Sequence, residues 1–311
     1  MSEPVTAPAP TTAERVHPLE FGIALNPEAA RIDELIRLAE LADSRGFELL
    51  GLMDHPYMGA ALEAWTLLSV LAARTERIRL FPDVANLPLR PPAMLAKAAA
   101  SLDLISGGRV ELGLGAGAAA DHGGGGMGGP RRSPKVAIDA LEEAVAVIRR
   151  VWAAGDAPAA YEGEHYRLEG VVPGPAPAHP IGIWLGAYRP RMLEVTARLG
   201  DGWLPSFPYL DPAAVIALNH RMDEAASAAG RAPSDVRRLY NIIGRIDGNG
   251  GAPFNEGSAA WTERLTELVL DGGVSAFVLT PMADHARQIE TFHAEVVPAV
   301  REAVSKEGAN R

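Results

Sequence analysis

Cysteine is absent from the 311 residues. That excludes disulfides, thiolate nucleophiles and zinc–thiolate centres together, though it leaves the compartment open. Basic charge is also short: the net charge is −10, and Arg131-Arg132 and Arg237-Arg238 stand as isolated pairs. This argues against a nucleic acid or an anionic membrane surface as partner. No uninterrupted apolar run approaches the ~20 residues that cross a bilayer. Residues 1–16 are rich in Pro, Ala and Thr and lack an apolar h-region, so they read as a disordered tail and not as a signal peptide. His17, His165, His179, His220, His285 and His293 share no ligand spacing, and H-E-x-x-H is missing, so no metal is expected. G-x-S-x-G is missing as well, which leaves a hydrolase triad without signal. The expectation is a soluble, cytoplasmic protein with a small-molecule substrate.

Apolar residues make up 48% of the chain and alternate between strand and helix patterns. Strand signals fall at 19–25, 49–53, 78–85, 110–114, 181–185, 202–204, 239–246 and 276–279. Asn26-Pro27-Glu28 resembles a helix start, with Ile32, Leu35, Ile36, Ala39 and Ala42 on one face and Gly46 as the stop. Further helices are expected at 62–74, from Pro91-Pro92 to Gly107-Gly108 with Leu95, Ala98, Leu102 and Ile105 inward, and at 134–154, 190–199, 211–229, 258–270 and 283–304. Residues 155–180, rich in Pro and Gly, break the rhythm as an insertion between strands four and five, with a small hairpin at 161–168. Eight βα units predict an α/β fold, a closed (β/α)8 TIM barrel over residues 17–305. An open doubly wound sheet is the alternative.

In such a barrel, chemistry is built where strands end. Asp54-His55-Pro56 closes the second strand, and a histidine there can give or take a proton near neutrality; a capping acid and a packed imidazole are the plainer alternative. Asp83-Val84-Ala85-Asn86 closes the third, as a ligand edge or as turn chemistry before Pro88. Gly113-Leu114-Gly115-Ala116-Gly117 is not G-x-G-x-x-G, yet its glycines suit close backbone approach to a ligand. Asp121-His122 and the run Gly123 to Gly129 form a loop, either a mobile lid or a merely flexible connection. Gly186-Ala187-Tyr188-Arg189 leads into a helix at Pro190, followed by Arg191 and Met192. Free N–H groups there favour an anion such as phosphate, unless the turn is an ordinary βα link.

Several ordered segments carry a family resemblance: Ala42 to Phe47, Asp54-His55, Ala72 to Ile78, Lys97 to Asp103, Ser106 to Arg109, Gly113 to Gly117, Leu141 to Ala144, Gly163 to Tyr166 and Asp201 to Trp203. In that order they resemble the bacterial luciferase-like superfamily of flavin- and deazaflavin-dependent oxidoreductases. The resemblance implies a (β/α)8 barrel with a flavin-type cofactor across its C-terminal mouth. Asp-His after strand two is similar to the branch that uses F420, with FMN as the alternative. It further implies that His55 is the catalytic acid/base and that Asp54 contacts the cofactor. Asp83-Val84 falls where that branch has a non-prolyl cis peptide. Asn86, Ala116 and Gly117 fall at cofactor-contact positions. Gly186, Ala187, Tyr188, Arg189, Arg191 and Met192 match the loop at the cofactor's phosphate end. The sugar-phosphate dehydrogenases of the branch have a glutamate where this chain has Ala118, which disfavours that activity.

Three readings follow. The first is F420-dependent hydride transfer to or from a small organic substrate. The second is an FMN-dependent monooxygenase fed by a separate reductase. The third is a flavin-binding barrel without turnover. Members of the superfamily are commonly dimers through helices two and three, and residues 62–73 are apolar enough for a homodimer here.

Overall fold

The computed structural model describes residues 17–117, 125–247, 250 and 252–310; the tail, Ala118 and the Asp121-His122 pair lie outside these. In chain order the first half holds β1 (Glu20–Leu25), α1 (Ile32–Arg45), β2 (Leu49–Leu52), α2 (Ala64–Arg74), β3 (Arg79–Pro82), β4 (Ala85–Asn86), α3 (Pro92–Ser106), β5 (Leu112–Gly115) and α4 (Pro134–Ala154). The insertion follows as an antiparallel hairpin, β6 (Ala159–Glu162) and β7 (Arg167–Val171). Then come β8 (Ile183–Leu185), α5 (Pro190–Leu199), β9 (Gly202–Trp203), β10 (Ser206–Phe207), α6 (Pro212–Ala228), β11 (Arg237–Ile246), β12 (Asn255–Glu256), α7 (Ser258–Leu270), β13 (Ala276–Pro281), α8 (His285–Thr291) and α9 (Val297–Asn310).

The strands run β1–β2–β3, then β4–β5–β8–β9–β11–β13 and back to β1, with every neighbour parallel. β3 and β4 are two halves of one stave, the first paired with β2 and the second with β5. A bridge from Leu80 to Val110 completes the circle. Closure decides for the barrel and against the open sheet. No helix among the described residues is long and apolar enough to cross a membrane.

Local chemistry sets the helix ends. Gly46 and Gly107 adopt φ +79 and +74, and each returns its N–H to carbonyls of the last turn. Ser133 and Asp211 accept N–H bonds from Val136 and Ala214 ahead of Pro134 and Pro212. Three expectations need correction. Asn26-Pro27-Glu28 does not cap α1, because that backbone pairs with the loop after β2 through Leu62 N–H to Pro27 O (2.6 Å) and Ala29 N–H to Ala60 O (2.9 Å). Ile32 and Ile105 are 43% and 76% exposed; α1 buries Leu35, Leu38, Ala39 and Ala42, and α3 buries Leu95, Ala99 and Leu102. Strands three and six are each split in two.

The main core lies between strands and helices, while a second cluster plugs the barrel itself. Ala24, Leu49, Phe81, Trp184, Leu204, Leu239, Ala276 and Val278 form this plug, with Phe81 edge-on to Trp184 at 5.1 Å. Side chains alternate along a strand. The next inward positions after Phe81, Leu204, Leu239 and Val278 are therefore Asp83, Ser206, Asn241 and Thr280. An apolar plug topped by a polar layer makes the floor of the C-terminal mouth.

Candidate active site at the barrel mouth

Asp54 is wholly buried just past β2. Arg90 grips it with two charge-assisted bonds, Nε to Oδ2 at 2.8 Å and Nη2 to Oδ1 at 2.9 Å, and the Asn86 N–H adds a third at 3.0 Å. Arg90 also pairs with Glu63, which caps α2 by accepting the Thr66 N–H at 2.7 Å. Its side chain has no accessible surface, and these bonds tie the end of β2 to β4 and α2.

His55 stands at the surface of the mouth, half-buried. Its ring stacks on Tyr57 at 5.4 Å, and no hydrogen bond to its imidazole occurs among the described residues. Burial lowers its pKa, with the Asp54 charge pulling the other way, so the ring is neutral and ready to accept a proton at neutral pH.

The Asp83–Val84 peptide is cis and lies between β3 and β4, where the resemblance places it. Asp83 has no cation beside it. Asn241 Nδ2 donates to its Oδ1 at 2.7 Å and to Ser206 Oγ at 3.2 Å. Desolvation lifts the Asp83 carboxyl to about 6, against that hydrogen bond. The folded state therefore holds this proton more tightly than the unfolded chain. Stability contributed by the neutral form is present at low pH and lost as pH rises from about 4 to about 6. Asp83→Asn keeps the Asn241 contact and removes the titration. Its unfolding free energy in urea, relative to the parent's, is expected to be higher at pH 7.5 than at pH 4.5 by on the order of 1–3 kcal/mol. An unchanged difference between the two pH values overturns the assignment.

Val84 rises against the glycines of the facing strand. A Cβ on Gly115 would lie 2.8 Å from Val84, and one on Gly113 would lie 2.2 Å from the Pro82 carbonyl oxygen. Gly117 has φ +97 and faces Pro88. These contacts explain why side chains are missing there and leave Ala116 and Gly117 half-exposed along the mouth. Gly186 continues the same wall, half-exposed. Ala187 and Met192 are buried, and Ala187 O accepts the Trp203 Nε1–H at 2.9 Å. Tyr188 faces Ser206 and Asp83, and burial raises its pKa. Its ring meets Tyr209 edge-on at 5.9 Å. Arg191 is paired with Asp139. Arg189 is exposed and pairs with no carboxylate among the described residues.

Two acceptors are orphaned in this floor: Asn86 Oδ1 and Asn241 Oδ1 are buried without a donor among the described residues. A buried acceptor left unpaired is costly, and a planar heterocycle with N–H groups along one edge meets that need. The glycine wall, Val84 and these two amides fit such a ring. Arg90, Tyr57, Ser206, Asn241 and Tyr209 were missed in the sequence. Period-two counting from the plug would have found Ser206 and Asn241; nothing local marks Arg90.

A family model described as luciferase-like monooxygenase matches residues 14–244. The chain is 29% identical over 231 residues to an F420-dependent glucose-6-phosphate dehydrogenase of Microbacterium testaceum, covering 72% of this chain and 68% of that protein. It is 30% identical over 253 residues to an F420-dependent hydroxymycolic acid dehydrogenase of Mycobacterium tuberculosis, covering 76% of this chain and 65% of that protein. In fold it is similar to an F420-dependent secondary alcohol dehydrogenase solved with an F420–acetone adduct, with a TM-score of 0.79 at 20% identity, over 91% of this chain and 99% of that one.

Proposed function

The chain belongs to the luciferase-like monooxygenase family, and from that premise we propose that it is an F420-dependent oxidoreductase moving a hydride to or from a small organic substrate. The observation that carries this reading is the unpaired, burial-neutralised imidazole of His55 beside a floor whose Asn86 and Asn241 acceptors lack donors. Val84, Asn86, Ala116 and Gly117 would hold the ring, and Gly186, Tyr188 and Arg189 its phosphate end. When bound, the deazaflavin supplies a carbon that takes up or gives up hydride. His55 takes or returns the substrate proton at an imidazole nitrogen. Asp54, fixed by Arg90, keeps that ring in place, and Tyr57 covers its face. The proposal includes a cytoplasmic site of action and a homodimer through α2 and α3, where Val70 and Met94 are 40% and 61% exposed.

The family's description favours a second reading, an FMN-dependent monooxygenase supplied by a separate reductase. Fluorescence titration of the purified protein with F420 and, separately, FMN discriminates. Micromolar or tighter F420 binding with weak FMN binding is the expected result. The reverse preference selects the second reading, and binding of neither sinks both.

A further inference from the structure

The base of the barrel, opposite the mouth, carries a line of alternating charge. Arg237 on β11 pairs with Glu20 on β1 at 2.8 Å, Glu20 with Arg79 on β3, and Arg79 with Glu111 ahead of β5 at 2.9 Å. The line ends at His179, where the insertion returns toward β8.

His179 lies between two carboxylates. Asp103, wholly buried near the end of α3, accepts the Val110 N–H at 3.1 Å, the Ala178 N–H at 2.8 Å, the His179 N–H at 3.1 Å and His179 Nδ1 at 2.8 Å. Glu111 Oε2 accepts the Gly182 N–H at 2.7 Å. The two acids thus fasten one stretch of chain, 178–182, to the base. Lys97 holds the stretch before it, donating to the Pro173 and Gly174 carbonyls at 3.1 and 2.6 Å.

The two nitrogens of the imidazole are served unequally. Both Asp103 oxygens accept main-chain N–H groups, so Oδ1 offers a lone pair and Nδ1 carries the hydrogen between them. Nε2 is buried without a hydrogen-bond partner among the described residues. It stands 3.9 Å from Glu111 Oε1, an oxygen that already accepts from Arg79. A neutral ring turns a lone pair toward that carboxylate, whereas the cation turns an N–H toward it. Two arginines, Arg79 and Arg237, face three carboxylates, Glu20, Glu111 and Asp103. A protonated His179 cancels the charge left over. Glu111 first, and Asp103 with it, raise the imidazole's pKa above its ordinary 6.5, against desolvation.

We propose that His179 is a pH-sensitive latch: as a cation it bridges Asp103 and Glu111 and fixes residues 178–182 to the base of the barrel, and on losing its proton it lets that stretch open. The stabilisation is fully present below pH 6.5 and is lost as pH rises through the higher value of the folded state. The opening is local. The tip of the hairpin is held separately along α4, where Glu143 accepts the N–H groups of Glu164, His165 and Tyr166 at 2.9, 2.9 and 3.1 Å and Arg132 donates to the Tyr166 hydroxyl at 3.0 Å.

NMR of the full chain reads the latch without reference to any ligand or turnover. The His179 imidazole is expected to titrate with a midpoint above 6.5, and Glu111→Gln is expected to lower that midpoint. Hydrogen exchange at the Ala178, His179 and Gly182 amides, corrected for intrinsic rate, is expected to lose protection between pH 6 and pH 8.5. The loss should be about tenfold for each unit by which the titration midpoint stands above the ordinary value, while the Glu164 and His165 amides keep theirs. His179→Asn retains a donor toward Asp103 and cannot titrate, so the pH response is expected to vanish in it. A midpoint at or below 6.5, a midpoint that Glu111→Gln leaves in place, or the same loss of protection in His179→Asn overturns the latch. The parent and Glu111→Gln titrations decide the matter even if the asparagine variant does not fold.

Discussion

Arg90→Met is expected to destabilise the protein by about 3–5 kcal/mol, the usual result of leaving one member of a buried pair alone. Asp54 has no exposed side-chain surface, and Arg90 supplies two of its three hydrogen bonds. Methionine fills similar volume, so packing alone changes little, while the carboxylate must stay charged in an apolar place or take up a proton. The same change frees Glu63, which then caps α2 without its cationic partner. Urea denaturation at neutral pH measures the loss. Asp54→Asn combined with Arg90→Met removes the stranded charge and is expected to recover a substantial part of it, a non-additivity typical of residues in contact. Equal stability of the Arg90 variant and the parent would show that the clamp on Asp54 carries no weight.

The second large effect is kinetic. His55→Ala is expected to lower kcat by roughly 10²–10⁴-fold, the range for removing a positioned general acid or base. F420 affinity should move only a few-fold, because the imidazole holds no other group in place. In the direction where His55 accepts a proton, the neutral ring is the active form. Its pKa lies below the ordinary value, first because of burial, so the acid limb of kcat/KM should fall below pH 6.5 and vanish in the variant. Full turnover by His55→Ala, or an acid limb that survives it, assigns the proton transfer elsewhere. The Asp83 titration at about 6 would then be the first alternative, since Asn241→Ala should move that limb and leave one due to His55 unchanged.

Much of this arrangement was legible along the chain. Alternation of apolar strands and helices specifies a βα repeat, because period two and period 3.6 are local properties of sequence. Proline and glycine mark the helix ends at Pro92, Gly46 and Gly107 for equally local reasons of φ and missing donors. The Asp54-His55 step at a strand end, and Asp83 to Asn86 after the next, were visible for the same reason. The face a helix buries was less legible: Ile32 and Ile105 look inward by pattern, yet point outward, because the phase of a helix is set by what it packs on.

Tertiary structure alone decided which groups meet. Arg90 lies 36 residues from Asp54, and Asn241 lies 158 residues from Asp83; no window of sequence joins them. Desolvation is likewise a property of surroundings, so the raised Asp83 carboxyl and the lowered His55 imidazole exist only once the barrel closes over its apolar plug. The sequence determined the repeating unit and the residues available at each strand end, since both follow from neighbours in the chain. Closure of the barrel determined which of them are charged, paired or left facing a ligand, since those depend on burial and on contacts that only the fold creates.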